Sequence, residues 1–190
     1  YKNKPKIIFG YYLRDRDNYI EIRVGDAFKN PGALVIPIND YFDVSLSGNV
    51  KKANSMQKRL ISDCYSGKED HLRNDIERST KCDEKHTIGT VVEIGQNNKK
   101  FYLLANSHKK ENNRVESTVE DFLISLDSLW KYIALESGRD KIVTIPLIST
   151  QHGRITGLNR KKAIKEIIHS YIESSKKINI CDKLIVSIHP

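Results

Sequence analysis

Three short polar segments, each just past an apolar run, carry the side chains best suited to chemistry: Gly25-Asp26, Asn39-Asp40 and Ser149–Arg154. A carboxylate at a strand end accepts a hydrogen bond from an exocyclic amine, such as that of adenine, more strongly than a neutral acceptor does. Asp26, with Ala27 beside it, suits that role, and the same Gly-Asp pair also suits a plain turn or a helix N-cap. Asn39 and Asp40 set an amide beside a carboxylate. That pair matches sugar hydroxyls, which both donate and accept, and an Asx-turn uses the same residues. The third segment runs Ser149, Thr150, Gln151, His152, Gly153, Arg154, Ile155. Its hydroxyls, the freedom of Gly153 and Gly157, the positive end of a following helix and a two-point clamp from Arg154 all favour an anion. It matches neither the Walker loop nor the dinucleotide fingerprint. As a lone motif it suits a phosphate cradle or a plain strand-to-helix connection equally.

Other reactive side chains point nowhere in particular. No Ser-His-Asp or Cys-His pairing emerges from the spacing; His152 reads as a loop residue before it reads as a base, and His189 is ambiguous. Cys82 and His86 make at most half of a zinc site, with no second cluster to complete it, so no metal is expected. Cys64, Cys82 and Cys181 are odd in number and far apart, which fits a reducing compartment better than a disulfide framework.

Alternating elements must hold these segments in place. "YIEIRV" at 19–24 alternates as a half-exposed strand, and "ALVIPI" at 33–38 is apolar enough for a strand buried on both faces, although Pro37 favours a strand end. Val50, Ala53, Met56, Leu60, Ile61 and Cys64 fall on one helical stripe over 50–65. Residues 66–86 are strongly charged and read as a surface loop with one short helix. Two strands around a turn at Gln96–Lys99 follow, then a helix signalled by Ser117 with Glu120 in the capping-box position. A strand at 141–148, a helix over 160–175 and a strand at 183–189 close the chain. This order predicts an α/β fold: a three-layer α/β/α arrangement around a mixed, mostly parallel sheet, with ligands at the carboxyl ends of its strands.

The 190 residues suit one domain, and 38% hydrophobic against 29% charged residues exclude a disordered tail and a membrane-spanning chain. A net charge of +8 favours an anionic partner, with the basic residues spread in pairs and triplets. Residues 1–18 read as a linker or an added strand or hairpin, and 19–190 as the domain proper. The start at Tyr1 suggests a piece of a longer protein.

Taken together and in this order, the three segments resemble the macro domain, the α/β/α module that binds ADP-ribose. Gly25-Asp26 is similar to that family's adenine-holding pair; "IPIN" at 36–39 keeps only the last residue, Asn39, of its Asn-Ala-Ala-Asn motif; and "PLISTQHGR" is similar to its Ile-Ser-Thr entry into the diphosphate loop. One departure concerns catalysis. Macro-domain hydrolases carry a glycine-rich loop after the Asn motif, whereas residues 40–60 here have one glycine, Gly48. "ND-YFD", then "NS", then a late "HGR-TGL" resemble more narrowly the macro domain of the ThsA effectors of type II Thoeris antiphage defence. The resemblance implies a sensor rather than an enzyme, with an ADP-ribosyl hydrolase as the alternative. It also implies a histidine conjugate of ADP-ribose made by a TIR-domain partner, and self-association on binding. No cofactor and no nucleic-acid partner are implied, and the chain would be the cytoplasmic part of a bacterial inner-membrane protein whose membrane segments lie outside it. Asp43, Ser55 and Gln57 are the candidates for whatever extends beyond the distal ribose, since a cationic imidazole favours a carboxylate.

Overall fold

The computed structural model describes residues 4–14, 17–45, 55–112, 114–137, 140–148 and 155–189. Among them the elements run β1 (Lys6–Tyr12), β2 (Tyr19–Val24), β3 (Ala33–Asn39), α1 (Met56–Cys64), α2 (Glu69–Glu77), β4 (Val91–Gln96), β5 (Lys99–Lys109), β6 (Val115–Glu116), α3 (Val119–Leu135), β7 (Ile142–Pro146), α4 (Arg160–Ser175) and β8 (Lys183–Ile188). The sheet order is β1-β2-β8-β7-β3-β5-β4, with β6 paired to the far end of β5. From β2 through β8, β7 and β3 to β5 every neighbour is parallel, while β1 and β4 run antiparallel on the flanks. The fold is therefore α/β with a mixed, mostly parallel sheet.

Alternation along the strands builds the layers. Ala33 and Val35 face one core, shared with Phe122, Trp130, Ile167 and Tyr171 of α3 and α4. Leu34, Ile36 and Ile38 face the other, shared with Leu60, Ile61, Leu72 and Ile76 of α1 and α2. A strand buried on both faces reads as a continuous apolar run, which is what "ALVIPI" is. Trp130 is fully buried and donates its indole N–H to Ser170 Oγ at 2.9 Å, so its one polar atom is satisfied inside the core.

Two details differ from the sequence reading. The cap of α3 sits one residue later than expected. Thr118 accepts from the Asp121 amide at 3.0 Å, and the Asp121 carboxylate accepts from the Thr118 amide at 2.8 Å. Ser117 is drawn off instead, donating to the Asn106 carbonyl at 2.8 Å. Helix α1 begins after an N-cap at Ser55, so the stripe counted from Val50 is shorter than expected; Val50 and Ala53 lie outside the described residues. The amino-terminal residues include β1, which pairs with β2 from Lys6↔Val24 to Tyr12↔Tyr19 and leaves Ile7, Ile8 and Phe9 about half exposed.

Candidate functional site

Because five neighbouring strands are parallel, their carboxyl ends share one edge: Val24 of β2, Ile188 of β8, Pro146 of β7, Asn39 of β3 and Lys109 of β5. Along this edge the sheet splits. The β3–β7 ladder holds only Ala33↔Val143 and Leu34↔Thr144, although β3 continues to Asn39 on its β5 side. Pro37 and Pro146 both lie in the unpaired stretch, where a missing N–H removes no β3–β7 bond. This explains how a proline sits within an interior strand. A crevice at the carboxyl end of parallel strands is the usual ligand position in such sheets.

Asp26 stands on the β2 side of that crevice. It caps a short 3-10 turn, Ala27–Lys29, accepting from the Phe28 amide at 3.0 Å, and Ala27 is buried. Its carboxylate is also gripped by Arg59 of α1, with Nη1 donating to Oδ1 at 2.5 Å and Nη2 to Oδ2 at 3.0 Å. The guanidinium lies 4.5 Å from the centre of the Phe28 ring and donates to Asp63 as well, at 3.0 Å. Hydrogen bonding from Arg59 holds the Asp26 carboxyl below its ordinary value, against a smaller opposing effect of burial. Lys99 secures the same connection by donating to the Phe28 and Asn30 carbonyls at 2.8 and 2.9 Å.

On the β3 side, Asn39 makes an Asx-turn, its side-chain oxygen accepting from the Tyr41 amide at 3.0 Å and the Asp43 amide at 3.3 Å. Asp40 is 0% exposed. Its carboxylate accepts from the Lys109 amide at 2.8 Å and faces Nδ1 of His108 at 3.0 Å, joining the end of β3 to the end of β5. The other nitrogen of His108 faces Asp121 at 3.2 Å. Asp43 accepts from Lys109 Nζ at 2.6 Å and from the Ser45 amide at 2.9 Å. Burial pushes its carboxyl up, and these donors more than offset that, so it rests below the ordinary value. Gln57 donates to the Asp43 carbonyl at 2.8 Å, and Ser55 caps α1 by accepting from the Lys58 amide at 3.1 Å. Asp43 and Gln57 are thus brought together, with Ser55 at the cap of the same helix, and Asp26 is joined to that helix by Arg59.

Ser149, Thr150, Gln151, His152, Gly153 and Arg154 lie outside the described residues. Ile155 is buried against the α3/α4 core, and Gly157 has φ +85°, a turn that favours glycine, ahead of the α4 N-cap at Asn159. Cys82 is buried, which pushes its thiol up to about 11, and the His86 ring sits edge-on to Phe42.

A family model described as "Thoeris protein ThsA, Macro domain" matches residues 20–189. The chain belongs to the ThsA macro-domain family. Solved structures give this ThsA-type macro domain the same fold. A single-residue mutant of the Oceanobacillus iheyensis macrodomain has TM-score 0.64 at 13% identity, covering 98% of this chain and 87% of that one. The macrodomain of that organism with ADP gives 0.60 at 15%, covering 96% and 89%. Another mutant, with ADPR, gives 0.53 at 13%, covering 95% and 90%. No protein of curated function matches. Arg59, His108 and Lys109 of the ThsA-type domain escaped the sequence reading. Arg59 shows only an ordinary i,i+4 partner in Asp63, and the partner that matters is 33 residues away.

Proposed function

We propose that this domain binds an ADP-ribose-derived nucleotide along the split between β3 and β7, and that it serves as a sensor rather than a hydrolase. The crevice carries the reading: it opens at the carboxyl edge with Asp26 on one side and Asn39 on the other, and fold relatives have been solved with ADP and ADPR. Asp26 would receive the adenine amine with Ala27 beside it. Asn39 stands by the distal ribose, and the segment Ser149, Thr150, Gln151, His152, Gly153, Arg154 and Ile155 by the diphosphate; Asp40, expected beside Asn39 at the ribose, is instead sealed in as a fastening of the strand end. Every carboxylate described at the crevice is tied down: Asp26 by Arg59, Asp40 by Lys109 and His108, Asp43 by Lys109. Groups so engaged serve recognition better than proton transfer, and the reading needs neither metal nor cofactor.

In its fuller form, the ligand is a histidine conjugate of ADP-ribose made by a TIR-domain protein. Binding drives self-association and activates a membrane-disrupting effector in antiphage defence. Asp43, with Ser55 and Gln57 close by, takes the added imidazole. In this reading the membrane action belongs to segments outside this chain and the domain lies on the cytoplasmic side. No described helix is long and apolar enough to cross a membrane.

Thermal shift with ADP-ribose and with the conjugate, using ATP as control, tests this. Ligand at 100 times its Kd adds about 2.7 kcal/mol. For a domain of this size that is a rise of roughly 5–10 °C. A shift confined to the conjugate supports the sensor; turnover of an ADP-ribosylated substrate moves the domain to the hydrolases; no shift with either removes the reading.

A further inference from the structure

The Asp26 carboxylate is already occupied by a side chain. An ionised carboxylate has about four lone-pair directions, and here the Phe28 amide takes one and Arg59 takes two. One direction is left, but the guanidinium spans both oxygens and covers the Phe28 ring, so a flat base is received best when Arg59 lets go. The side chains of Arg59 and Asp26 are 26% and 23% exposed, so water screens the pair. By contrast Glu21, held by Arg23 and Lys183 under β2, is 4% exposed and locked in place.

The released guanidinium has an obvious destination. Arg59 belongs to α1, which follows β3, and Asp26 follows β2; β8 and β7 lie between those strands. At strand spacings near 4.8 Å the two ends stand roughly 14 Å apart. Arg59, on the helix packed against β3, thus extends toward Asp26, and a nucleotide running from Asp26 to Asn39 would pass close to it. What lies midway along such a nucleotide is the diphosphate, and a planar guanidinium grips phosphate oxygens in the two-point manner it now uses on Asp26. We infer that Arg59 is a ligand-binding residue that trades partners: the Asp26 carboxylate in the free protein, the ligand's diphosphate in the complex.

The exchange is balanced in charge and in hydrogen bonds. Asp26 gives up a cation and gains a neutral amine donor, while Arg59 gives up one anion and gains another. Asp63, one turn along α1, keeps its hold on Nη2 and so retains the guanidinium at the mouth of the cleft. Departure from Asp26 also uncovers the Phe28 ring, leaving an aromatic face for a flat base in place of a flat cation. This inference rests on the ADP-ribose reading and fails separately from it.

Calorimetric titration of ADP-ribose into the wild type, Arg59→Gln and Arg59→Lys provides the test, at salt from about 0.05 to about 0.5 M, where exposed ionic contacts fade. The expected result is a loss of about 10-fold or more for Arg59→Gln and a smaller loss for Arg59→Lys. The deficit of the glutamine variant should shrink as salt rises. Tighter binding by Arg59→Gln would make Arg59 a lock and nothing more, and an unchanged or salt-independent affinity would make the pair structural; either overturns the exchange. Arginine side-chain nitrogen resonances give a second readout: those of Arg59 should shift when ADP-ribose binds, and stillness there overturns it too. A wild type that binds neither ADP-ribose nor its histidine conjugate instead sinks the underlying nucleotide reading.

Discussion

Asp26 and Asp40 each follow the carboxyl end of a parallel strand, beside a residue suited to a turn, and in the chain they look alike. In the fold they do opposite things. Asp26 is partly open and tied to an arginine from another element, whereas Asp40 is sealed in and bonded to a backbone amide and a histidine. One strand end is prepared for exchange, the other is fastened. The difference teaches that a strand-end carboxylate becomes a ligand group or a structural staple according to what the rest of the fold packs around it.

Removing the fastened carboxylate should produce the largest effect. Asp40→Ala strands the Lys109 amide and removes the partner of a His108 ring that is 36% exposed, and leaving a buried polar group unpaired costs about 1–3 kcal/mol. Urea denaturation should show that loss as a lower midpoint; a change below about 1 kcal/mol would put Asp40 in the same class as Asp26 and erase the contrast. Asp26→Ala should reverse the pattern. Expected is a loss of 10-fold or more in ADP-ribose affinity by calorimetry, with stability falling by less than about 1 kcal/mol because the pair is partly exposed and screened by water. A stability loss as large as that of Asp40→Ala would show that both carboxylates are staples.

The pH dependence sharpens the same point. Arg59 lowers the folded-state carboxyl of Asp26 below its unfolded value of 3.8. The stabilisation is therefore complete above that value and lost as pH falls through the depressed one. Stability of Asp26→Asn relative to wild type should then be lowest at neutral pH and recover as acid titrates the native carboxylate. No change in that difference between about pH 6 and pH 2 would mean that the ion pair contributes nothing. The smallest effect belongs to Ser55→Ala, which removes the N-cap of α1 and should cost about 1 kcal/mol in thermal unfolding. Because Arg59 sits in the second turn of that helix, a binding loss far beyond the stability loss would tie cap and ligand together.

The elements were legible in the chain where a period was clean. The strands at 19–24 and 33–38 and the helix over 160–175 stand where alternation and helical spacing put them. The start of α3 was ambiguous for a physical reason: Ser117/Glu120 and Thr118/Asp121 both satisfy the capping pattern, and only the position of the Asn106 carbonyl in β5 decides that Ser117 goes elsewhere. β6 is two residues long and has no period to read. For the site, the chain showed which carboxylates stand at strand ends. It did not show their partners, because Arg59 and Lys109 are brought to Asp26 and Asp43 by the sheet order and not by any local spacing.

The short β3–β7 ladder makes the sheet a lever. Its two halves are joined at Ala33 and Leu34, near the amino ends, and Asn39 lies five residues further on. At about 3.3 Å per residue the arm is roughly 16 Å long, so a rotation of about 5° at the joint moves Asn39 by about 1.4 Å. That is half the length of a hydrogen bond. The joint itself is tightly fitted: Gly32 has φ +79°, and a Cβ there would sit 2.1 Å from the Ile142 carbonyl oxygen. A side chain at position 32 would therefore press on the very joint from which the cleft opens.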